Sequence, residues 1–174
     1  MSEHASSLQS EIRQSKPFRS PGHAAVVGLL LTADVIRRAF TQVVEPFQLT
    51  LQQYNVLRIL RGAGCEGIPT LEIGERMIEH APGVTRLLDR LDSKGLVRRE
   101  RCPLDRRQVL CHLNAEGRAL VDRLDAAIDI ADDEAVATLS ADEQRLLIEL
   151  LEKIRAGHRR QGGEGAFANG NNNP

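Results

Sequence analysis

Eight of the 23 Lys and Arg residues fall within residues 81–113, a stretch that holds four of the 24 Asp and Glu. Its balance is +4, whereas the other 141 residues carry 15 basic and 20 acidic side chains, a balance of −5. Arginine supplies a planar fork of N–H donors that fits a phosphate, or the O6 and N7 edge of guanine. A basic element on an acidic body is the electrostatic footprint of a protein that meets a polyanion. Most charge runs are solvated faces, but a solvated helix and an ordinary hairpin give no reason for this asymmetry.

These side chains need a frame, and the local pattern predicts one. Val84, Leu87, Leu88 and Leu91 recur at i, i+3, i+4 and i+7, the apolar face of a helix. The opposite face carries Pro82, Arg86, Asp89 and Ser93, with Thr85 and Arg90 on its flanks. Pro82 and Gly83 fall at the helix start, where proline costs little and small side chains let backbone amides approach a surface. Lys94-Gly95 ends the helix. Leu96–Arg101 and Gln108–Leu113 have strand character, and Pro103 and Asp105 lie between them, so a hairpin follows. With Cys102 facing Gln108, Arg98, Arg99, Glu100 and Arg101 line an edge, and Arg106 and Arg107 stand at the tip. Arg86 is the best-placed base reader. Asp89, at i+3, either holds Arg86 in pose or accepts from a cytosine amino group.

Two further elements lead into this unit. Thr50-Leu51-Gln52-Gln53 has the form of a capping box, so a helix begins there and runs to Gly62-Ala63-Gly64. Pro69-Thr70 opens a short helix with Thr70 as its N-cap and Leu71, Ile73, Met77 and Ile78 as its apolar set. Gly74 inside that helix suits a close crossing by the Val84–Lys94 helix. Two short helices joined by a tight link, the second with a polar outer face, make a helix-turn-helix.

The remainder is helical and apolar. A helix from about His23 to Val44, stopped by Pro46, carries Val27, Leu30, Leu31, Val35 and Ile36. Asn114 caps another that runs along Leu120, Leu124, Ile128, Ala131 and Ala135 to about Thr138. Ser140-Ala141-Asp142-Glu143 is a second capping box, leading into Leu146, Leu147, Leu150, Leu151 and Ile154 and ending near Gly157-His158. The small basic unit cannot cover all this apolar surface, so the first and last helices are expected to pair with those of a second copy. Residues 1–20 read as a mobile N-terminal arm, 21–47 as the first dimerisation helix and 48–113 as the DNA-binding region. Residues 114–160 form the C-terminal dimerisation helices, and 161–174 a disordered tail.

Length and composition set outer limits. At 174 residues with 41% hydrophobic and 27% charged side chains, the chain suits one globular domain. One Tyr, four Phe and no Trp favour a helical core over a β-sandwich. The longest apolar run, Ala24–Leu31, is too short for a membrane span, and no secretory signal is visible. Three cysteines suit a reducing compartment, so the cytoplasm is expected.

Read in order, TLEIGERM from Thr70, VTRLLDRL from Val84, KGLVRR from Lys94, DRR from Asp105 and LNAEGR from Leu113 resemble the MarR family of transcriptional regulators. The resemblance covers Leu49 to about Leu124 by motif. It implies a mainly α protein, a winged helix-turn-helix with N- and C-terminal dimerisation helices and a small β-hairpin wing. It further implies a homodimer on a pseudo-palindromic duplex operator, a repressor released by a small aromatic or phenolic effector. The recognition helix is then Pro82–Lys94 in a major groove and the wing Arg98–Leu113. Arg107 takes the minor-groove or phosphate role, and Asp105 holds an arginine in pose. Thr70, Pro82, Gly83, Thr85, Arg86, Arg90, Arg106 and Arg107 are the expected DNA contacts. Two departures stand out: Ala81-Pro82-Gly83 replaces the family's usual Ser/Thr-rich helix start, and no cysteine precedes Cys65.

Other chemistries find less support. Cys102 and Cys111 are poorly placed for a mutual disulfide, because Cys111 then lies opposite Arg99. The spacing of Cys102, Cys111 and His112 with His80 matches no zinc pattern. No catalytic triad, paired carboxylates or phosphate-binding glycine loop appears, so neither enzyme activity nor a cofactor is expected. A protein-interaction module that keeps the fold without operator binding, and a cysteine-based redox-sensing regulator, remain the alternatives. Nothing in the sequence names the ligand-binding residues.

Overall fold

The computed structural model describes residues 8–64, 66–79, 83–103, 105 and 107–165, with side chains described to residue 159. Cys65, His80, Ala81, Pro82, Leu104, Arg106 and the expected tail beyond residue 165 lie outside the described residues. The elements in order are α1 (Pro21–Val44), α2 (Leu51–Gly62), β1 (Ile68–Pro69), α3 (Thr70–Arg76), α4 (Val84–Ser93), β2 (Val97–Arg101), β3 (Val109–Leu113), α5 (Ala115–Val136) and α6 (Ala141–Gly165). The chain divides into two compact units, residues 1–131 and 132–174.

Helix α1 starts at Pro21, two residues earlier than its periodicity suggests. Ser20 is its N-cap, the hydroxyl accepting from the amide of His23 at 3.1 Å, and proline is well suited to the first helical position. A 3₁₀ turn over Glu45–Phe47 closes it, with Gln48 in the left-handed conformation. Residues 1–7 of the expected mobile arm lie outside the described residues. Residues 8–11 form a helical turn, and a Cβ on Gly28 would lie 3.5 Å from Leu8 Cδ2, so the arm rests on α1.

The capping box of α2 is present in both directions: Gln53 N–H donates to Thr50 Oγ1 at 3.2 Å, and Thr50 N–H to Gln53 Oε1 at 3.1 Å. That pairing allows Gln53 to be buried. Val56, Leu57 and Leu60 from α2 meet Ile73 of α3, Leu88 and Leu91 of α4, Val97 of β2 and Val121 and Leu124 of α5 in the core, all at most 1% exposed. Burying each leucine contributes about 1.5–3 kcal/mol. Arg61 on α2 donates to Asp125 on α5 at 2.6 and 3.0 Å and to Asp122 at 3.1 Å, tying these helices outside the core.

The sheet has three strands in the order β1-β3-β2, all antiparallel. The expected two-stranded hairpin therefore gains Ile68–Pro69, paired with Cys111 and Leu110. Two residues have no detectable period, which is why the sequence concealed them. Gly67, just before β1, has φ +69° and packs so closely on His112 that a Cβ would sit 2.4 Å from the ring. The buried apolar set of α3 is shorter than its periodicity suggests. The helix ends at Arg76, Met77 is extended, and Leu71 and Ile78 are 77% and 87% exposed. Its N-cap is Pro69, without a side-chain bond, and Thr70 is the first helical residue.

Helix α5 ends at Val136, and its buried seam stops at Ala131; Ala135 is exposed. Ser140 and Glu143 close the capping box of α6, the Glu143 amide donating to Ser140 Oγ at 3.4 Å and the Ser140 amide to Glu143 Oε2 at 2.8 Å. Helix α6 continues through Gly157 to Gly165, past the expected stop. A helical glycine costs only about 1 kcal/mol relative to alanine, too little to end a long helix by itself.

Candidate nucleic-acid interface

Gly83 is the N-cap of helix α4, and its φ of 112° bends the chain into the helix without a side-chain cap. Leu87, Leu88 and Leu91 are buried and Val84 partly so, which fixes the rotation of the helix. Thr85, Arg86, Asp89 and Arg90 are all exposed on the other side, as their spacing requires. Close behind, Gly74 of α3 faces Val84: a Cβ there would meet Val84 Cγ2 at 3.5 Å, ordinary contact rather than a clash. The predicted crossing is present, but space alone does not demand a glycine.

The wing follows in the predicted register. Val97 pairs with Leu113, Arg99 with Cys111 and Arg101 with Val109, while the Cys102 amide donates to the Gln108 carbonyl at 3.0 Å. Its turn is organised by Asp105. Oδ1 accepts from the Arg107 amide at 3.0 Å, Oδ2 accepts from Gln108 Nε2 at 3.1 Å, and the Asp105 carbonyl accepts from the Gln108 amide at 2.9 Å. Asp105 is expected to hold an arginine in pose, and among the described residues it bonds the backbone amide of Arg107, so it positions that arginine through the main chain. A short carboxylate two residues back reaches an amide more readily than a guanidinium on a long stem.

Charge in this region sorts into paired and unpaired cations. Arg99 bonds Asp89 at 2.8 Å and Asp92 at 3.2 Å. Arg98 pairs with Glu100, and Lys94 donates to the Gln48 carbonyl. Among the described residues, Arg86, Arg90, Arg101 and Arg107 make no ion pair and are exposed. Of the two roles open to Asp89, holding Arg86 is not seen among the described residues: Asp89 pairs with Arg99.

Thr70 is placed differently from its expected DNA-contact role. It is half-buried, and its hydroxyl lies 3.5 Å from Cys111 Sγ. Cys111 is fully buried, and burial pushes its thiol above the ordinary value despite the Thr70 hydrogen bond. Cys102 is half-exposed and free. Pro82, Arg106, Cys65 and His80 lie outside the described residues, and no group of His, Cys, Asp and Glu suited to a metal ion occurs among those described. The exposed Leu146, Leu147, Leu150 and Ile154, with partly buried Leu151, form the stripe along α6. On α1, Val26, Leu30 and Val35 are more than half exposed.

The sequence reading missed the role of Arg99. Its signal was present, since Asp89 and Asp92 stand three residues apart on one side of α4 and Arg99 was already assigned to the neighbouring strand edge.

Helix α4 presents a charged outer face, α3 buttresses it, and a β-hairpin follows with a cationic turn: this is a winged helix-turn-helix, a class that places its second helix in a groove of duplex DNA. Comparison with known proteins narrows the class. The MarR family model matches residues 49–109. Transcriptional regulator HosA of Escherichia coli O111:H- is 33% identical over 106 residues, spanning 61% of this chain and 77% of HosA. The homoprotocatechuate degradative operon repressor of Escherichia coli is 30% identical over 136 residues, 78% of this chain and 90% of the repressor. A cysteine-to-serine mutant of Escherichia coli MarR, solved in complex with operator DNA, matches with a TM-score of 0.67 and 31% identity, covering 72% of this chain and 89% of MarR. The chain belongs to the MarR family and is a DNA-binding transcriptional regulator.

Proposed function

We propose that this regulator is a homodimeric repressor of a pseudo-palindromic operator, released by a small aromatic or phenolic acid, and that it acts in the cytoplasm without enzymatic activity. The observation that carries the reading is the set of exposed, unpaired arginines: Arg86 and Arg90 on the outer face of α4, and Arg107 held at the wing tip by Asp105. Thr85 and Gly83 share the exposed face of α4, and Pro82 and Arg106 are assigned to the same surface from sequence. Thr70 is left out of the contact set because its hydroxyl faces Cys111. Residues 48–113 form the DNA-binding region, flanked by residues 21–47 and 114–160 as dimerisation segments. The exposed leucines of α6 and the exposed apolar residues of α1 support dimerisation, since a lone chain would leave them in water. No helix among the described residues is long and apolar enough to cross a membrane.

The test is selection of duplex fragments from a random pool by the purified protein, followed by binding at several salt concentrations with and without homoprotocatechuate as a probe acid. Expected are fragments with two half-sites, affinity that falls steeply with salt because phosphate contacts release counterions, and weaker binding with the acid. Enrichment of no common motif would sink operator recognition and favour the interaction-module alternative.

A further inference from the structure

Asp89 is an awkward residue for a helix face that meets phosphate. It stands three residues beyond Arg86 and beside Arg90, where a bare carboxylate repels the polyanion and competes for Arg86. Asp92, one turn further along, adds a second negative charge. The structure answers both from outside the helix. Arg99 lies in the middle of β2, opposite Cys111. Its Nη2 is 2.8 Å from Asp89 Oδ1 and 3.2 Å from Asp92 Oδ2, and its Nε donates to Asp92 Oδ2 at 3.3 Å. One planar guanidinium spans two carboxylates a helical turn apart, which the single point charge of a lysine would not match. The Arg99 side chain is 28% exposed, against 53% for Asp89 and 41% for Asp92, so the cation sits on the inner side of the cluster. Burial opposes its charge, but the hydrogen bonds it donates to Asp89 and Asp92 outweigh burial and hold its pKa above the ordinary value. Among the described residues, Arg99 is the ion-pair partner of both carboxylates and no other cation shares them.

We propose that Arg99 is a positioning residue for DNA binding, which ties α4 to the wing and withdraws Asp89 and Asp92 from competition, leaving Arg86 unpaired for a base. The inference rests on the reading of α4 as the helix that enters the groove. Arg99 does not itself touch DNA in this scheme. It acts through the carboxylates, and that makes it separable from a phosphate contact.

The experiment is a mutant cycle on a duplex fragment selected by the wild-type protein. Wild type, Arg99→Ala, the Asp89→Asn/Asp92→Asn double variant and the variant carrying all three changes are compared by fluorescence anisotropy. Base preference is read on single-base variants of the fragment, and thermal unfolding is recorded for each protein. Arg99→Ala is expected to lose about tenfold or more in affinity and to flatten preference at the base read by Arg86, because the freed Asp89 captures that arginine. In the Asn background, loss of Arg99 is expected to change affinity by less than about threefold, since no carboxylate remains to restrain. Equal losses in both backgrounds would show that Arg99 contacts DNA directly and overturn the proposal. So would an Arg99→Ala protein with lower thermal stability but an unchanged preference profile, the mark of a structural role alone. If Arg99→Ala does not fold, the two Asn-background proteins decide: near-equal affinity supports the proposal and a tenfold gap overturns it. Failure of the wild type to prefer any duplex is a separate result, which removes the reading of α4 and this inference with it.

Discussion

Gly117 is a position where adding one methyl group should be costly. It is the third residue of α5 and buried, and an ideal Cβ there would lie 2.1 Å from the Leu96 carbonyl oxygen, 3.1 Å from its carbon and 2.8 Å from Leu113 Cδ1. A comfortable carbon–oxygen approach is about 3.3 Å or more, so more than an ångström must be found. The obstacle is backbone and cannot swing aside. Leu96 is held by its own amide donating to Leu91 O at 3.0 Å and by its carbonyl accepting from the Asn114 amide at 3.0 Å. Overpacking costs about 1–3 kcal/mol and sometimes more, and a strained hydrogen bond adds about 1 kcal/mol. Helix propensity returns about 1 kcal/mol to alanine. Gly117→Ala should therefore destabilise by about 2 kcal/mol, a drop in Tm of about 4–8 °C for a chain of this size. Gly62→Ala, where a Cβ meets nothing within 4 Å, is the control and should leave Tm unchanged or slightly raised. Circular-dichroism melts at equal protomer concentration decide it. A Gly117→Ala protein within about 1 °C of wild type would refute the steric argument.

Changing Leu147 and Leu151 to Glu should abolish dimers and duplex binding together; a double variant still dimeric by light scattering counts against α6 as the interface. Cys111 should resist alkylation in the native protein at pH 8, because burial suppresses its thiolate, while half-exposed Cys102 reacts; mass spectrometry of peptides after short labelling tests this, and early modification of Cys111 would contradict it. The Arg61 hydrogen bond holds the Asp125 carboxyl below the usual carboxylate range, so the folded state takes up that proton later than the unfolded chain as pH falls. The pair's contribution is complete above the ordinary carboxylate range and is lost as pH drops through the lowered value. Asp125→Asn should thus be less stable than wild type near neutrality, with the gap closing in acid. A gap that stays constant through the acid range would sink the assignment.

The helices of this fold were legible because they bury long stripes against one core. Leu87, Leu88 and Leu91 announced α4 and its rotation, and the Thr50 and Ser140 capping boxes marked helix starts to the residue. Elements shaped by tertiary pairing were less visible. Ile68–Pro69 became a strand only because β3 offered an edge. Ile78 belonged by period to α3, yet its amide instead donates to Asn55 Oδ1 at 3.0 Å, outside the helix. Side-chain roles divided the same way. Exposure of Arg86 and Arg90 followed from helical spacing, whereas the choice of Arg99 over Arg86 as the partner of Asp89 depended on where β2 passes α4. Sequence spacing placed Thr70 at a helix start but could not show that its hydroxyl faces Cys111.

Base reading by the outer face of α4 is proposed to run through Arg86. Competition binding of wild type and Arg86→Ala on a library of single-base operator variants tests it most directly. Arg86→Ala should cost about 1–3 kcal/mol on the operator, much less on random duplex, and lose preference at one guanine in each half-site. An exposed arginine with no base contact would contribute under about 1 kcal/mol even if paired. Superimposable preference profiles for the two proteins would show that Arg86 reads no base.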